Sequence, residues 1–66
     1  MKKFDTVGYI ISYESGELDA NGILELFAEL VQTGQAWSLQ GSYGRTARAL
    51  IDAGWLDSKG NVLKEA

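Results

Sequence analysis

The residues of this chain best suited to chemistry lie at positions 36–45, where the sequence is AWSLQGSYGR. The stretch combines two large aromatic side chains, an amide, two hydroxyls and an arginine. Tryptophan, tyrosine and arginine dominate the energetically important contacts of protein interfaces. We therefore consider this stretch a candidate protein-binding surface, whose contact residues are expected to be Trp37, Gln40, Tyr43 and Arg45.

Each of these four side chains has a defined role in such a contact. The two rings would fill pockets of the partner, Arg45 would pair with a carboxylate or phosphate, and Gln40 would fix the register through hydrogen bonds. A structural interpretation competes with this one, because rings of this size take a large share of a small core. Core placement is the default expectation for Trp37 and Tyr43, although a ring can bury its body and still present its polar edge.

The two glycines of the stretch, Gly41 and Gly44, do not form a known phosphate-binding loop. A Walker loop needs a lysine and then Ser or Thr after its last glycine, whereas Arg45 and Thr46 follow a shorter span here. The simplest interpretation is that Gly41 ends a helical turn and Gly44 lets two backbone segments approach closely. Alternatively, free N–H groups at the start of the following helix, with Arg45 beside them, bind an anionic group.

The residue types that are missing narrow the chemistry. The sequence has no histidine and no cysteine, so the commonest general base and the strongest nucleophile are absent. Catalysis by carboxylates needs a concave, partly dry pocket, for which a 66-residue domain has little room. We expect a protein that is not an enzyme, that binds no metal and that needs no cofactor, because thiolate and imidazole zinc ligands are also missing.

Length and composition indicate a single small domain over residues 1–66. A chain of this size buries only about 60% of its unfolded surface, so it would gain from burying a further face in a homodimer. No stretch approaches the roughly 20 apolar residues of a membrane span, and the N-terminal sequence lacks the pattern of a cleaved signal peptide. We expect a cytosolic protein that does not contact a membrane.

Two segments of the first half are predicted to be helices. Residues 5–15 have apolar residues at helical spacing but also contain a strand-like run at 9–13; we favour a helix capped by Asp5 and followed by a left-handed Gly16. Residues 19–33 are more distinct, with Asp19 as N-cap, Gly34 after the end, and an apolar stripe. That stripe consists of Ile23, Phe27, Leu30 and Val31, broadened by Leu24 and Leu26.

The charge of the chain is uneven. The net charge is −3, and residues 1–33 hold six acids against two lysines, whereas residues 34–66 hold three acids against four bases. Glu25 and Glu29 line the outer side of the second helix, where the simplest interpretation is a solvated surface. Together with Glu14, Glu17 and Asp19 they could instead form a negative patch that meets a basic partner or imitates the phosphates of nucleic acid.

The second half is predicted to be helical up to Gly54. Residues 35–40 favour one helical turn that ends at Gly41, and Ser42 would cap a third long helix. One face of that helix would carry Tyr43, Ala47, Leu50 and Ile51, with Arg48 and Asp52 paired on its outside.

The pattern over residues 55–63 favours two short strands around a turn at 58–61, in which Gly60 can take a positive φ. Trp55 is expected to fold back over the core, and residues 64–66 to fray. The predicted fold is thus mainly α: a compact bundle of three longer helices, a short helical turn, and a short C-terminal β-hairpin.

The same order of elements is similar to a helix-turn-helix. Residues 36–40 would be its first helix, 43–53 its recognition helix and 55–63 a wing, with Arg45 and Arg48 toward the groove of the DNA and Lys59 toward the backbone. The short first helix, the few base-reading side chains and the net negative charge argue against this interpretation. We therefore rank nucleic acid below protein as a partner.

The residue order over about 9–56 resembles a family of short proteins of unknown function that tailed bacteriophages and prophages encode. The most specific elements are Thr33-Gly34, the run AWSLQG and then YGR. This chain departs from the family at Ala20-Asn21-Gly22, where members carry more acidic residues. The resemblance implies a phage origin and expression in the cytoplasm of a bacterial host, and it carries over no catalytic or binding residues.

Three hypotheses for function follow. The leading one is a small, non-enzymatic phage accessory protein that binds and modulates or inhibits a host protein. The second is a nucleic-acid-binding regulator that uses residues 36–61. The third is a structural or assembly component that self-associates.

Overall fold

The computed structural model describes residues 5–39 and 41–64. These residues form four helices, α1 (Thr6–Glu14), α2 (Ala20–Thr33), α3 (Gln35–Ser38) and α4 (Gly41–Asp52). The prediction of a mainly helical domain is confirmed. None of the helices in these two ranges is long and apolar enough to cross a membrane.

Helix α1 begins where a side chain can satisfy its free backbone N–H groups. The Asp5 carboxylate accepts a hydrogen bond from the N–H of Gly8 at 3.1 Å, as an N-cap residue does. After the helix, Gly16 takes a left-handed conformation with φ of 79°. The preference for a helix over a strand at residues 5–15 is confirmed, because this capping outweighs the strand-like composition of residues 9–13.

Helix α2 supplies most of the core. Asp19 accepts a hydrogen bond from the N–H of Gly22 at 2.7 Å, and Gly34 ends the helix with φ of 81°. The side chain of Thr33, in the last turn, donates back to the carbonyl of Glu29 at 3.0 Å. The predicted stripe faces inward, since its members are buried or packed against the core. Among the described residues the core consists of Leu24, Leu26, Phe27, Ala28, Leu30, Val31, Ala36, Tyr43, Ala47 and Leu56.

The junction between α3 and α4 differs from the prediction. We expected Gly41 to end the short turn and Ser42 to cap the next helix, but α3 ends at Ser38 and Gly41 is the first residue of α4. The extended backbone of Leu39, with ψ of −172°, already breaks the helix. Ser42 therefore lies inside the first turn of α4. The predicted Arg48–Asp52 pair on the outer side is present, at 3.4 Å.

The predicted C-terminal β-hairpin is wrong. The described residues contain only one antiparallel bridge, between Leu56 and Val62. A hydrogen bond from the N–H of Leu63 to the carbonyl of Trp55 at 2.8 Å flanks it. The turn that begins at Asp57 follows the buried Leu56 at once, so the two arms are too short for a ladder of strand pairs.

The chain after α4 nevertheless returns to the core, because its turn docks on α2. The side chain of Gln32 donates to the carbonyl of Gly60 at 2.9 Å. Trp55 is half-buried against the core, as expected, and the Lys64 ammonium lies 4.7 Å from the centre of its ring. Residues 65 and 66, where we expected fraying, lie outside the described residues.

We predict that Gly60→Ala destabilises the protein far more than Gly16→Ala. Both glycines have positive φ, which costs a residue with a Cβ about 1 kcal/mol or more. Only at Gly60 would the added Cβ also collide, at 2.6 Å from Cγ of Gln32 and 2.7 Å from the carbonyl oxygen of Ala28, whereas nothing lies within 4 Å at Gly16. We expect a loss of about 3 kcal/mol at Gly60 and about 1 kcal/mol at Gly16 in urea unfolding. Equal losses would contradict the docking of this turn on α2.

Candidate protein-binding surface

The structure separates the four residues that the sequence grouped as a contact set. Trp37 is 53% exposed and Arg45 is exposed, whereas Tyr43 is only 5% exposed. Gln40 lies outside the described residues. Of the described members, Trp37 and Arg45 therefore remain on the candidate surface, where α3 meets α4, and the role of Gln40 stays a prediction.

The expectation that Trp37 is a core residue is wrong. On α3 the neighbouring Ala36 is 1% exposed and takes the inward position. Successive residues of a helix point about 100° apart, so the next side chain turns away from the core. The sequence could not show this, because a helix of four residues has no periodicity from which to read an inward face.

Gly44 lets α3 lie close against α4, as predicted. A Cβ at this position would come 3.4 Å from the carbonyl oxygen of Ala36 and 3.8 Å from Cε3 of Trp37. The indole ring therefore rests beside the glycine on α4 rather than extending freely into solvent. The orientation of the ring therefore depends on Gly44 having no side chain.

Arg45 and Leu39 are also exposed in the part of the chain where α3 meets α4. The Arg45 guanidinium reaches back over the start of α4, where Nη1 lies 3.3 Å from the point that a Cβ of Gly41 would occupy. Leu39, which the sequence analysis did not single out, is 38% exposed. The residue pattern of 35–40 did not indicate that the backbone of Leu39 is extended between two helices. We call the exposed side chains of Trp37, Leu39 and Arg45 the Trp37 face.

Tyr43 belongs to the core and not to this face. Its ring lies 5.8 Å from that of Phe27 and 5.7 Å from that of Tyr13, measured between centroids. Its hydroxyl donates to Oε2 of Glu14 at 2.6 Å. Burial, followed by this hydrogen bond to a carboxylate, raises the pKa of Tyr43 to about 12. A ring held in this way has little surface left to fill a pocket of a partner.

Most acids of the predicted negative patch make hydrogen bonds that stabilise the fold. Besides the Glu14 bond, the hydroxyl of Tyr9 donates to Oε1 of Glu25 at 3.1 Å, and this bond raises the pKa of Tyr9. Asp5 and Asp19 cap α1 and α2. Four of the six acids in residues 5–33 thus hold helices in place, and only Glu17 and Glu29 have no such task in the contacts given above.

The residues of the nucleic-acid alternative are spread over different parts of the fold. Arg45 lies at the start of α4, and Arg48 pairs with Asp52 farther along the same helix. Lys59 is exposed in the turn that docks on α2, where its N–H donates to the Asp57 carboxylate at 2.9 Å. Helix α3, which would be the first helix of the motif, has only four residues.

Two surface depressions offer no set of groups suited to catalysis. One, of about 160 Å³, is lined by apolar side chains alone: Ala20, Ile23, Leu24, Leu50 and Trp55. The other, of about 340 Å³, is lined by Asn21, Leu24, Glu25 and Val62, and its single carboxylate is the one that accepts from Tyr9. Within residues 5–39 and 41–64, no three acids come together in a group that could hold a metal ion.

Comparison with known proteins places the chain in a family. Residues 1–66 match the family model described as a domain of unknown function, DUF7417, and the chain belongs to that family. No curated protein matches the chain, and no solved structure does. The family carries no assigned activity, so function is inferred from the surfaces of the molecule.

We predict a loss of stability in alkali that depends on Tyr43. Its pKa is about 12 in the folded protein and 10.0 for the unperturbed group. The folded state therefore holds the proton more tightly, and the resulting stability is complete below pH 10 and lost as the pH rises toward 12. Urea unfolding across this range should show a steeper decline for the wild type than for Tyr43→Phe. Parallel declines would show that the hydroxyl is not held as described.

Proposed function

We propose that this member of the DUF7417 family is a small, non-enzymatic phage protein that binds and modulates a protein in the cytoplasm of its bacterial host. The contact would be made by the Trp37 face. The phage origin rests on the residue pattern of 33–45. The sequence has no histidine and no cysteine. The two surface depressions contain only one titratable side chain between them, Glu25. Both observations support binding rather than catalysis.

The exposed indole of Trp37 is the observation that carries the proposal. A tryptophan that leaves half its surface in water, in a domain whose core needs apolar area, contributes little to folding for its size. One edge of the ring lies beside Gly44, and the preceding residue, Ala36, is buried in the core. A rigid aromatic side chain loses little conformational entropy on binding, which is why such residues serve as anchors in interfaces.

Arg45 defines the chemistry of the partner's site. Its guanidinium lies beside the first turn of α4, where backbone N–H groups lack partners within the helix. Both features favour a negative group. We therefore expect the partner to offer an apolar pocket for Trp37 and a carboxylate next to it for Arg45.

Nucleic acid is the second candidate, and one observation favours it: the exposed cations Arg45, Arg48 and Lys59 all belong to the half of the chain that carries excess positive charge. Three cations spread over two elements, one of them paired with Asp52, would give few phosphate contacts. The four-residue α3 also fits poorly as the first helix of a helix-turn-helix. The protein-binding function is better supported.

We predict that Trp37→Ala and Arg45→Ala each reduce recovery of the host partner about tenfold or more, because truncation of an interface anchor typically costs 2 kcal/mol or more. The measurement is affinity capture from host lysate with quantitative mass spectrometry. Leu63→Ala is the matched control, since Leu63 is also apolar and exposed but belongs to the segment after α4. It should recover the same partner as the wild type.

Two results would contradict the proposal. One is equal recovery of the same proteins by wild type, Trp37→Ala and Arg45→Ala, with far-UV circular dichroism showing all three folded. The other is retardation of duplex DNA at about 50 mM salt that Arg45→Ala and Arg48→Ala both weaken, because phosphate contacts are strongest at low salt. That second result would favour the nucleic-acid function.

A further inference from the structure

The first turn of α2 contains the pair Asn21-Gly22, and an asparagine followed by glycine is the dipeptide most open to spontaneous deamidation. Glycine has no side chain to hinder its own backbone nitrogen, which attacks the amide of the preceding side chain. The other asparagine of the chain, Asn61, precedes Val62, whose branched side chain crowds the same nitrogen. The unfolded chain therefore has one dominant site for this reaction, and in the folded protein Asn21 is exposed to water.

The packing of α2 requires a glycine at position 22 and so retains this reactive pair. Gly22 is buried, and a Cβ there would lie 2.8 Å from Cγ and 2.9 Å from Cδ1 of Leu18. Leu18 itself packs against the core, where side chains have little room to withdraw. A glycine inside a helix is unfavourable relative to alanine, and the contact with Leu18 explains why one is present here.

We propose that the first turn of α2, closed by Asp19, protects Asn21 from deamidation, and that Asn21 becomes a modification site when this turn opens. Oδ1 of Asp19 accepts a hydrogen bond from the N–H of Gly22 at 2.7 Å, and this N–H must lose its proton before the nitrogen can attack. The attack also requires the backbone of Asn21 to rotate out of its helical ψ. The cap and the helix therefore restrain the same step.

The reaction at Asn21 is a cyclisation followed by hydrolysis. The Gly22 nitrogen forms a bond to Cγ of Asn21, the bond from Cγ to Nδ2 breaks, and ammonia leaves with the proton of the Gly22 N–H. Water then opens the five-membered imide at either carbonyl, which gives aspartate or isoaspartate. Both products add a negative charge four residues before Glu25, on the same side of α2, and isoaspartate also lengthens the backbone inside the capped turn.

Incubation of the full chain at mildly alkaline pH, followed by peptide mass spectrometry and an isoaspartate assay, tests the proposal. The folded wild type should lose the Asn21 amide at least about tenfold more slowly than the same chain in concentrated urea, since only molecules with an open turn react. Asp19→Ala should lose it about three- to tenfold faster than the folded wild type, because an N-cap is removed. Asp19→Ser keeps a capping oxygen without the charge and should stay close to the wild type.

Asp5→Ala is the matched control, because it removes the corresponding cap of α1, in which Asp5 accepts from the N–H of Gly8 at 3.1 Å. It should leave the rate at Asn21 unchanged, with circular dichroism showing every variant folded. Hydrogen exchange of the Gly22 amide reports opening of the same turn and should rank the variants in the same order. Equal rates in folded and unfolded wild type, slower loss in Asp19→Ala, or equal acceleration by Asp5→Ala would each overturn the proposal.

Gly22→Ala tests separately whether packing requires the glycine. The added methyl group crowds the attacking nitrogen, so Asn21 should react more slowly in urea than it does in the wild type. The contact with Leu18 should also lower the urea midpoint of unfolding, despite the higher helix propensity of alanine. A raised midpoint would show that Leu18 does not require a glycine at position 22.

Discussion

Three aromatic rings at the centre of the molecule hold elements that are far apart in sequence. Tyr13 from α1, Phe27 from α2 and Tyr43 from α4 lie with ring centroids between 5.5 and 5.8 Å apart. Such pairs contribute stability beyond the area they bury. The hydrogen bond between Tyr43 and Glu14 closes the same group with a polar contact at its edge. The cluster fixes the position of α4 through Tyr43. Because α3 lies against α4, the cluster also determines where the exposed indole of Trp37 lies.

Most acidic residues of the first half also help to stabilise the helices and their packing. A domain this small has no disulfide to help it, and it uses carboxylates where backbone or phenolic donors need acceptors. Asp5 and Asp19 satisfy N–H groups at helix starts, and Glu14 and Glu25 accept from tyrosine hydroxyls. Much of the negative charge of the first half therefore has a role in folding, and a basic partner is not needed to explain it.

The sequence predicted those features that local rules determine. Caps at Asp5 and Asp19, and a glycine at position 34 where a left-handed residue is required, mark helix ends by short-range hydrogen bonding and sterics. The inward stripe of α2 follows from its periodicity over fourteen residues. The outward position of Trp37 is not determined by local rules of this kind, because it depends on how a four-residue helix packs on α4. In the described residues the predicted hairpin is reduced to one bridge between Leu56 and Val62, because the turn begins directly after the buried Leu56.

The docking of the turn at Gly60 on α2 also has a consequence for folding during synthesis. Leu56 and Gly60 cover part of the core that α2 supplies, and Gln32 finds its acceptor only there. While a ribosome still holds these residues, the nascent chain can form its helices but must leave that part of α2 open to water. Contacts within the rest of the chain are mostly between neighbouring helices, which form quickly. Until the turn at Gly60 has left the ribosome, the domain is therefore incomplete and exposes apolar surface to other proteins.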